Sequence, residues 1–434
     1  MEFGTGIRDI TPHRAVMLHG YAHRNRRSDG VAEPLRLGAL ALCDGQTRTI
    51  VITADILGVH TTEAGELARA VELATGVPAS HVLVCASHTH FAPSMSTAQF
   101  SNHEVGYFIP EEPDAKRIRE AAIEAAREAL ETCLPCRVET VRVETPGVSF
   151  NRRTVLPDGM VETSFMYPLQ DGFTFAPVDT ELTAVRFVSE AGTGAVLVNF
   201  GCHPVTGGHD RDGSSYKISS DYVHYLRSAV EGAWGYPAFF TLGAAGDAVP
   251  RDRYGDSRSR IGSVLGQSLV LAHRLFRPVD GPVAVERLTH PASTIVSYDA
   301  AQAAARYEEE LAESRRRGEN SPGFSTAVLA RFRSSLYPDN NLDVPIAVLR
   351  IGPLAFVMLP FEVLSEFAIR MKRRYPQSVL VSCAGGYQGY LPFAYEYDRG
   401  GYEASELSTH FVPGTADEIY DLVETHLGGA VTRP

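Results

Sequence analysis

Short apolar runs alternate with helical patterns through most of this 434-residue chain. Two runs that flank a tight turn, at residues 35–43 and 49–56, predict a β-hairpin. A helical pattern between runs, as at residues 62–75, predicts a crossover between parallel strands. Since both kinds of connection occur, the sequence predicts an α/β fold in which mixed β-sheets are covered by helices.

The length of the chain permits a large core, and we expect a single domain over residues 1–434. A strongly charged helical pattern at residues 300–317 is followed by an exposed-looking stretch. We interpret this region, about residues 300–337, as a helical insertion between core strands.

The composition argues against several partners. A net charge of −12 disfavours nucleic acid, which requires clustered Lys and Arg. No apolar stretch approaches the roughly 20 residues that span a bilayer, so we expect no stable membrane anchor. The first residues show neither a basic segment nor an apolar leader, and we therefore expect a cytoplasmic protein. The sequence leaves the oligomeric state open, and a homo-oligomer is compatible with it.

Six cysteines in so long a chain do not indicate a disulfide scaffold. Cys85, Cys202 and Cys383 stand in or beside apolar runs and are expected to be small core residues. Cys133 and Cys136 form a CxxC motif that follows a helical pattern, whereas a redox CxxC motif opens a helix. We expect no function from this pair.

The motif Ser87-His88-Thr89-His90 follows the apolar run at residues 81–85. Residues two apart on an extended chain point the same way, so this HxH pair could present two imidazoles to one ion. Three other apolar runs also lead to residues that can bind a metal: 195–200 to His203, 354–359 to Glu362, and 378–382 to a Gly-rich turn with Tyr387 and Tyr390. If the strands share one sheet system, their ends converge and predict a zinc site.

His88, His203 and Glu362 would give zinc two imidazoles and a carboxylate, a set typical of catalytic sites. The competing interpretation is that each histidine only caps or packs a strand end. The HxH motif does not by itself select a fold. A metallo-β-lactamase would continue as HxHxDH, but Phe91-Ala92-Pro93 follows here. A TIM-barrel amidohydrolase carries HxH on its first strand, whereas this motif comes after two predicted strands and a helix.

Several segments together resemble the catalytic domain of the neutral (non-lysosomal) ceramidases, zinc amidases that cleave the N-acyl bond of ceramide. The matching segments, in order, are Gly20-Tyr21-Ala22 with Gly30 and Leu35-Arg36, Ser87-His88-Thr89-His90, Phe150-Asn151-Arg152, residues 199–203, residues 243–250, Leu359-Pro360-Phe361-Glu362 and residues 387–402. The resemblance spans most of the chain and implies the catalytic-domain fold of that family.

The resemblance also implies roles for individual residues. The zinc (Zn²⁺) ligands would be His88, His203, Glu362 and Tyr390. His90 would transfer protons beside the metal. Tyr402 and Arg152 would contact the reacting carbonyl and the polar end of the substrate.

Two features depart from the family pattern. The family loop reads Gly-Asp-Val-Ser-Pro-Asn, whereas this chain has Val249 in place of the serine and Arg251 in place of the asparagine. Arg251 could offer a cation to a carboxylate-bearing substrate or could be a solvated loop residue. The chain also ends soon after the Tyr-rich stretch, so we expect no immunoglobulin-like C-terminal domain.

These observations predict a zinc-dependent amidohydrolase that cleaves a linear amide through a zinc-bound water. The expected substrate is a small-molecule N-acyl compound, smaller or more polar than ceramide. Ceramide hydrolysis and ester or lactone hydrolysis on the same centre remain alternatives. A degenerate homologue that binds zinc or a ligand without turnover is the non-enzymatic alternative.

Overall fold

A computed structural model of the chain describes residues 1–21, 24, 26–93, 112–167, 174–207, 214–296, 299–317, 333 and 336–431. The strands are β1 Glu2–Asp9, β2 Arg36–Cys43, β3 Arg48–Ala54, β4 Val82–Ala86, β5 Leu134–Glu144, β6 Ser149–Asn151, β7 Arg153–Val155, β8 Val161–Thr163, β9 Thr174–Phe175, β10 Glu181–Ser189, β11 Gly194–Phe200, β12 Ala238–Leu242, β13 Ala248–Pro250, β14 Arg277–Pro278, β15 Val283–Ser293, β16 Asn341–Ile351, β17 Leu354–Met358, β18 Glu362–Val363, β19 Ser378–Val381 and β20 Tyr390–Leu391. The helices are α1 Thr61–Thr75, α2 Glu112–Glu131, α3 Tyr222–Trp234, α4 Ser257–Leu271, α5 Ala300–Arg316, α6 Ser365–Arg374, α7 Ala394–Arg399 and α8 Thr415–Val431.

The larger sheet joins nine strands within the described part of the chain, in the order β12-β11-β10-β5-β1-β2-β3-β4 with β14 beside β5. The predicted hairpin β2–β3 is antiparallel, and so is the pair β10–β11. The pairs β3–β4 and β11–β12 are parallel and joined through helices. The sheet is therefore mixed, as the alternation of turns and helical crossovers predicted.

A second sheet, in the order β15-β16-β17-β19, packs face to face against the first. Leu40 and Leu83 of the first sheet share an apolar cluster with Leu349 and Phe356 of the second. Helices α1 to α4 cover the outer face of the first sheet, and α6 and α8 cover that of the second. The result is a layered α/β structure. Apolar residues fill the space between the two sheets and the space between each sheet and the helices that cover it.

Helix α2 lies unusually close to β1 because glycines face it. A Cβ atom at Gly4 would lie 1.9 Å from the carbonyl oxygen of Ala129, and one at Gly6 would lie 2.1 Å from that of Ala125. The helix can approach the strand this closely because the strand has glycines and the helix has alanines at the contact.

Helix α6 begins at Ser365, after Glu362 and Val363 have paired with β20. Helix α4 ends at Leu271. The predicted insertion at residues 300–337 contains α5, but residues 318–332 and 334–335 lie outside the described residues. No helix in the described ranges is both long and apolar enough to cross a membrane.

Candidate metal centre

His88 lies two residues beyond β4, in a sharp reversal of the chain. Its backbone has φ +65°, the left-handed region that side chains rarely adopt. Its side chain is buried, and Nδ1 lies 2.7 Å from the carbonyl oxygen of Leu57. Because a carbonyl can only accept, Nδ1 carries a proton, which leaves Nε2 as the ring nitrogen that could bind a metal. The Sγ atom of Cys383 also lies 3.6 Å from Nδ1, so this cysteine touches the site as well as the core.

Glu362 lies between two histidines. Its Oε2 atom is 2.8 Å from Nε2 of His203 and 3.2 Å from Nε2 of His88. The Nδ1 atom of His203 faces the carbonyl oxygen of Ala248 at 3.3 Å, which orients that ring in the same way. Burial alone would raise the pKa of Glu362, but His88 and His203 outweigh it and hold this pKa well below its usual value. The carboxylate is therefore ionised.

The His90 ring stands beside the rings of the other two histidines. Its centroid lies 5.0 Å from that of His88 and 5.7 Å from that of His203. Both of its ring nitrogens are buried, and neither has a hydrogen-bond partner in the described part of the chain. Burial and the neighbouring histidines lower the pKa of His90 well below its usual value, so the ring is neutral.

Tyr390 reaches the site through a short parallel pairing in which it stands opposite Glu362. Burial raises the pKa of Tyr390 well above its usual value, and the Arg152 cation partly opposes this shift. Tyr387, which the sequence placed with Tyr390 among the residues that can bind a metal, is not in the expected ligand set. Its hydroxyl donates to Oε1 of Glu362 at 2.7 Å. The Gly-rich turn indicated a metal-binding tyrosine, but not that Tyr387 would donate to the carboxylate of Glu362.

Arg152 lies beneath two tyrosine rings. Its Nη2 donates to the Tyr390 hydroxyl and to the carbonyl oxygen of Gly246, each at 2.9 Å. Its guanidinium carbon lies 5.5 Å from the Tyr390 ring centroid and 5.6 Å from that of Tyr402. Burial raises the pKa of Tyr402 to about 12, so its phenol keeps its proton. The structure thus brings all seven residues that the sequence singled out into one region.

Val249 belongs to an apolar cluster and not to this polar group. It is fully buried in an apolar cluster with Phe150 and Val205, and the partly buried rings of Tyr21 and Tyr167 pack against that cluster. The position where the ceramidase pattern has a serine is therefore occupied here by part of an apolar wall.

The donor atoms fit a zinc ion. The ring nitrogens of His88, His90 and His203 lie within 4.8 Å of one another. A tetrahedral ion with bonds of about 2.1 Å holds its ligand atoms about 3.4 Å apart, close to the contacts that Glu362 makes with two of these rings. Two ligand sets are therefore compatible with the structure: His88, His203, Glu362 and Tyr390, or the three histidines. In the first set His90 adjoins the ion, and in the second it binds it.

Comparison with known proteins identifies the fold. No protein-family model matches the chain, and no curated protein has a significantly similar sequence. The crystal structure of neutral ceramidase from Pseudomonas aeruginosa matches with a TM-score of 0.75 at 17% identity, over 99% of this chain and 74% of that one. A ceramidase complexed with C2 gives a TM-score of 0.74 at 17% identity, over 99% of this chain and 75% of its own. The chain thus has the same fold as these ceramidase structures.

Proposed function

We propose that this protein is a zinc-dependent hydrolase of linear amides, with a substrate smaller or more polar than ceramide. The observation that carries the proposal is the convergence of His88, His203 and Glu362 at the strand ends of a ceramidase-like fold. Arg152 and Tyr402 lie beside them. A bare metal-binding role requires only the ligands, whereas amide cleavage also requires a proton-transfer group and donors to an oxyanion.

His88, His203, Glu362 and Tyr390 would hold the ion. When bound, zinc supplies a Lewis acid and lowers the pKa of water towards neutrality. The carbonyl oxygen of Leu57 orients the His88 ring through its Nδ1 atom, and that of Ala248 orients the His203 ring in the same way. Metal-binding histidines usually have such a partner on the second ring nitrogen.

His90 is the group proposed to move protons. Its neutral ring accepts a proton from the attacking water and passes that proton to the leaving nitrogen as the C–N bond breaks. The products are then a carboxylic acid and an amine. Tyr402 would donate a hydrogen bond to the oxygen of the reacting carbonyl, where negative charge develops. Arg152 supports that charge from beneath the tyrosine rings.

The proposal is tested by the release of free amine from zinc-loaded protein. The panel consists of N-acyl amino acids, N-acyl amines and matched esters. We expect amide cleavage that a chelator abolishes and that zinc restores. Tight zinc binding with no release of amine from any amide would contradict the proposal and favour the non-enzymatic alternative. Cleavage of the esters alone would favour the ester alternative.

Ceramide hydrolysis is the second candidate, since the fold matches ceramidase structures. Burial of Val249 in an apolar cluster argues for a different substrate, because a serine hydroxyl is missing there. We expect wild-type protein to leave ceramide intact under conditions in which it cleaves a smaller amide. Turnover of ceramide at a comparable rate would instead establish the second candidate.

A further inference from the structure

Two cysteines meet beside the start of β1. Cys43 is the last residue of β2 and stands opposite Glu2, and Cys133 lies between α2 and β5. Both are free cysteines, and their Sγ atoms are in contact at 3.8 Å. They are 90 positions apart in the sequence, so the fold alone makes them neighbours. Their contact gives Cys133 a partner outside the CxxC motif.

Both cysteines are held by well-packed parts of the structure. Strand β1 pairs with β2 over its whole length, which fixes the backbone of Cys43. On the other side, the Thr132 hydroxyl accepts from the backbone N–H of Thr5 at 3.1 Å, and a Cβ atom at Gly4 would lie 2.8 Å from the backbone nitrogen of Cys133. The chain after α2 is therefore packed directly against β1. The contact between the two sulfur atoms is a consequence of this packing.

A disulfide bond is within reach of this pair. Bonded sulfur atoms are about 2.05 Å apart, so the two Sγ atoms need to approach each other by about 1.8 Å. Each side chain supplies half of that movement by a rotation of about 30° around χ1, while the strand and the helix stay in place. The remaining cysteine of the CxxC motif, Cys136, belongs to β5, where it stands opposite Ser189 of β10.

The two thiols are chemically unequal. The hydrogen bond with Cys133 lowers the pKa of the Cys43 thiol, and the cation of Arg48, opposite Cys43 in the β2–β3 register, adds to this effect. The same hydrogen bond, together with burial, raises the pKa of the Cys133 thiol. Cys43 therefore ionises more readily, and the Cys133 thiol donates to its sulfur. A thiolate is the form of cysteine that reacts with oxidants.

Access to the pair favours a small oxidant. The side chain of Cys43 is 6% exposed, and Cys133 is half-buried between the exposed residues Thr132 and Leu134. Hydrogen peroxide is small enough to reach such a position, whereas a bulky disulfide reagent is not. Three other cysteines are at most 2% exposed and lie in the core: Cys85, Cys202 and Cys383. They serve as internal controls for any reaction at the surface.

We propose that Cys43 and Cys133 are oxidised by hydrogen peroxide to a reversible disulfide bond, which locks the end of α2 to β2. The Cys43 sulfur takes one oxygen atom as the O–O bond breaks, and it becomes a sulfenic acid while one water molecule leaves. The Cys133 sulfur then displaces that oxygen, which leaves with the Cys133 proton as a second water molecule. Two thiols are thus oxidised, and one peroxide is reduced to two water molecules. A dithiol reductant reverses the bond by thiol–disulfide exchange.

The pair lies at the end of β2 that is remote from the metal centre. Leu37 stands opposite Ala54, and Ala54 stands opposite Ala86, two residues before His88. Cys43 is six residues beyond Leu37 on the same strand, which is about 20 Å away. The bond would close a loop that contains His88 without touching the proposed ligands. The inference is therefore independent of the proposed amidase function.

Peptide mapping tests the pairing. Reduced protein is treated with hydrogen peroxide, its remaining thiols are blocked with N-ethylmaleimide in denaturant, and it is digested with trypsin without reduction. Cleavage after arginine releases Cys43 in residues 37–48, and both Cys133 and Cys136 in residues 128–137. We expect these two peptides to be linked in wild-type and Cys136→Ser protein, to be separate in Cys133→Ser protein, and to separate on reduction with dithiothreitol. A bond within residues 128–137, or recovery of Cys43 and Cys133 as blocked thiols, would overturn the inference.

Unfolding tests the claim that the bond locks α2 to β2. Closing a loop of 90 positions restricts the unfolded chain, so the urea midpoint of oxidised wild-type protein should rise by roughly 1 M over that of the reduced protein. Peroxide-treated Cys133→Ser protein is the control for oxidation elsewhere, and its midpoint should not rise. An unchanged midpoint in fully linked wild-type protein would overturn this claim.

Discussion

Arg152 and Glu403 form a buried ion pair in which Nε donates to Oε1 at 2.5 Å. The second carboxylate oxygen of Glu403 accepts from Nη1 of Arg153 at 3.1 Å and from the Thr163 hydroxyl at 3.0 Å. Arg153 also pairs with Glu396. One carboxylate therefore holds two adjacent arginines, and the first of them, Arg152, donates to the Tyr390 hydroxyl.

Glu403→Gln should lower both stability and turnover. An amide cannot neutralise the buried Arg152 cation, and removing one partner of a buried pair destabilises a protein by about 3 kcal/mol or more. We also expect kcat to fall roughly tenfold, because the guanidinium loses its anchor. Urea unfolding and steady-state kinetics measure the two effects.

Glu396→Gln is the matched control for that prediction. The substitution removes a carboxylate from the same buried network, but the Glu396 side chain contacts Arg153 rather than Arg152. It should reduce stability while largely preserving kcat. An equal loss of kcat in both variants would show that Glu403 acts only through the stability of the network.

His88→Ala and His90→Ala should have different effects on the metal. The first removes a ligand in either possible set, and bound zinc should fall well below the about one ion per chain expected for wild-type protein. The second should retain zinc and slow turnover by roughly 10²-fold, the usual scale for a proton-transfer group. Elemental analysis and kinetics test this, with His273→Ala at an exposed site as the control. Loss of zinc in His90→Ala would instead establish the three-histidine set.

Gly20→Ala should displace the His90 ring while leaving the histidine itself in the protein. A Cβ at Gly20 would lie 2.5 Å from Cγ of the His90 ring, so the ring must move. Gly45→Ala is the matched control, because its φ is also left-handed but no atom lies within 4 Å of its Cβ position. Both variants should lose about 1 kcal/mol of stability from backbone strain. Only Gly20→Ala should lower kcat, and unchanged kinetics would mean that the position of the His90 ring is unimportant.

Asp221 should make stability depend on pH in a defined direction. It caps α3, accepts from the Thr206 hydroxyl at 2.7 Å and is fully buried, and burial raises its pKa from 3.8 to about 6. Between these pH values the folded protein binds more protons than the unfolded chain, so stability from this group falls as pH rises.

Asp221→Asn removes this titration and keeps a side chain that can cap a helix. Relative to the variant, wild-type protein should lose about 2 kcal/mol of unfolding free energy between pH 4 and pH 7. Denaturant unfolding at each pH gives the difference. A pH-independent difference would show that the Asp221 pKa is the same in the folded and unfolded states.

Local patterns predicted the elements well, because hairpins and helices depend on neighbouring residues. They also predicted that the strand ends meeting at His88, His203 and Glu362 would converge. Individual hydrogen bonds between other distant segments could not be predicted in this way. Tyr387 and Glu403 act through hydrogen bonds that only the folded chain defines.

The cysteines show the same limit. The CxxC spacing drew attention to Cys133 and Cys136, but the Sγ atom of Cys133 lies 3.8 Å from that of Cys43. The two cysteines meet because β1 pairs with both of their segments. Glu2 of β1 stands opposite Cys43, and the next residue, Phe3, stands opposite Leu134, which directly follows Cys133. Spacing along the chain gave no information about this neighbour.

The candidate ligands come from chain segments that belong to both sheets: His88 and His203 follow strands of the first, and Glu362 follows a strand of the second. An ion held there would cross-link the two layers from within. Since an ion that binds only the folded chain shifts the unfolding equilibrium, the lifetime of this protein in a cell would then follow the buffered level of free zinc.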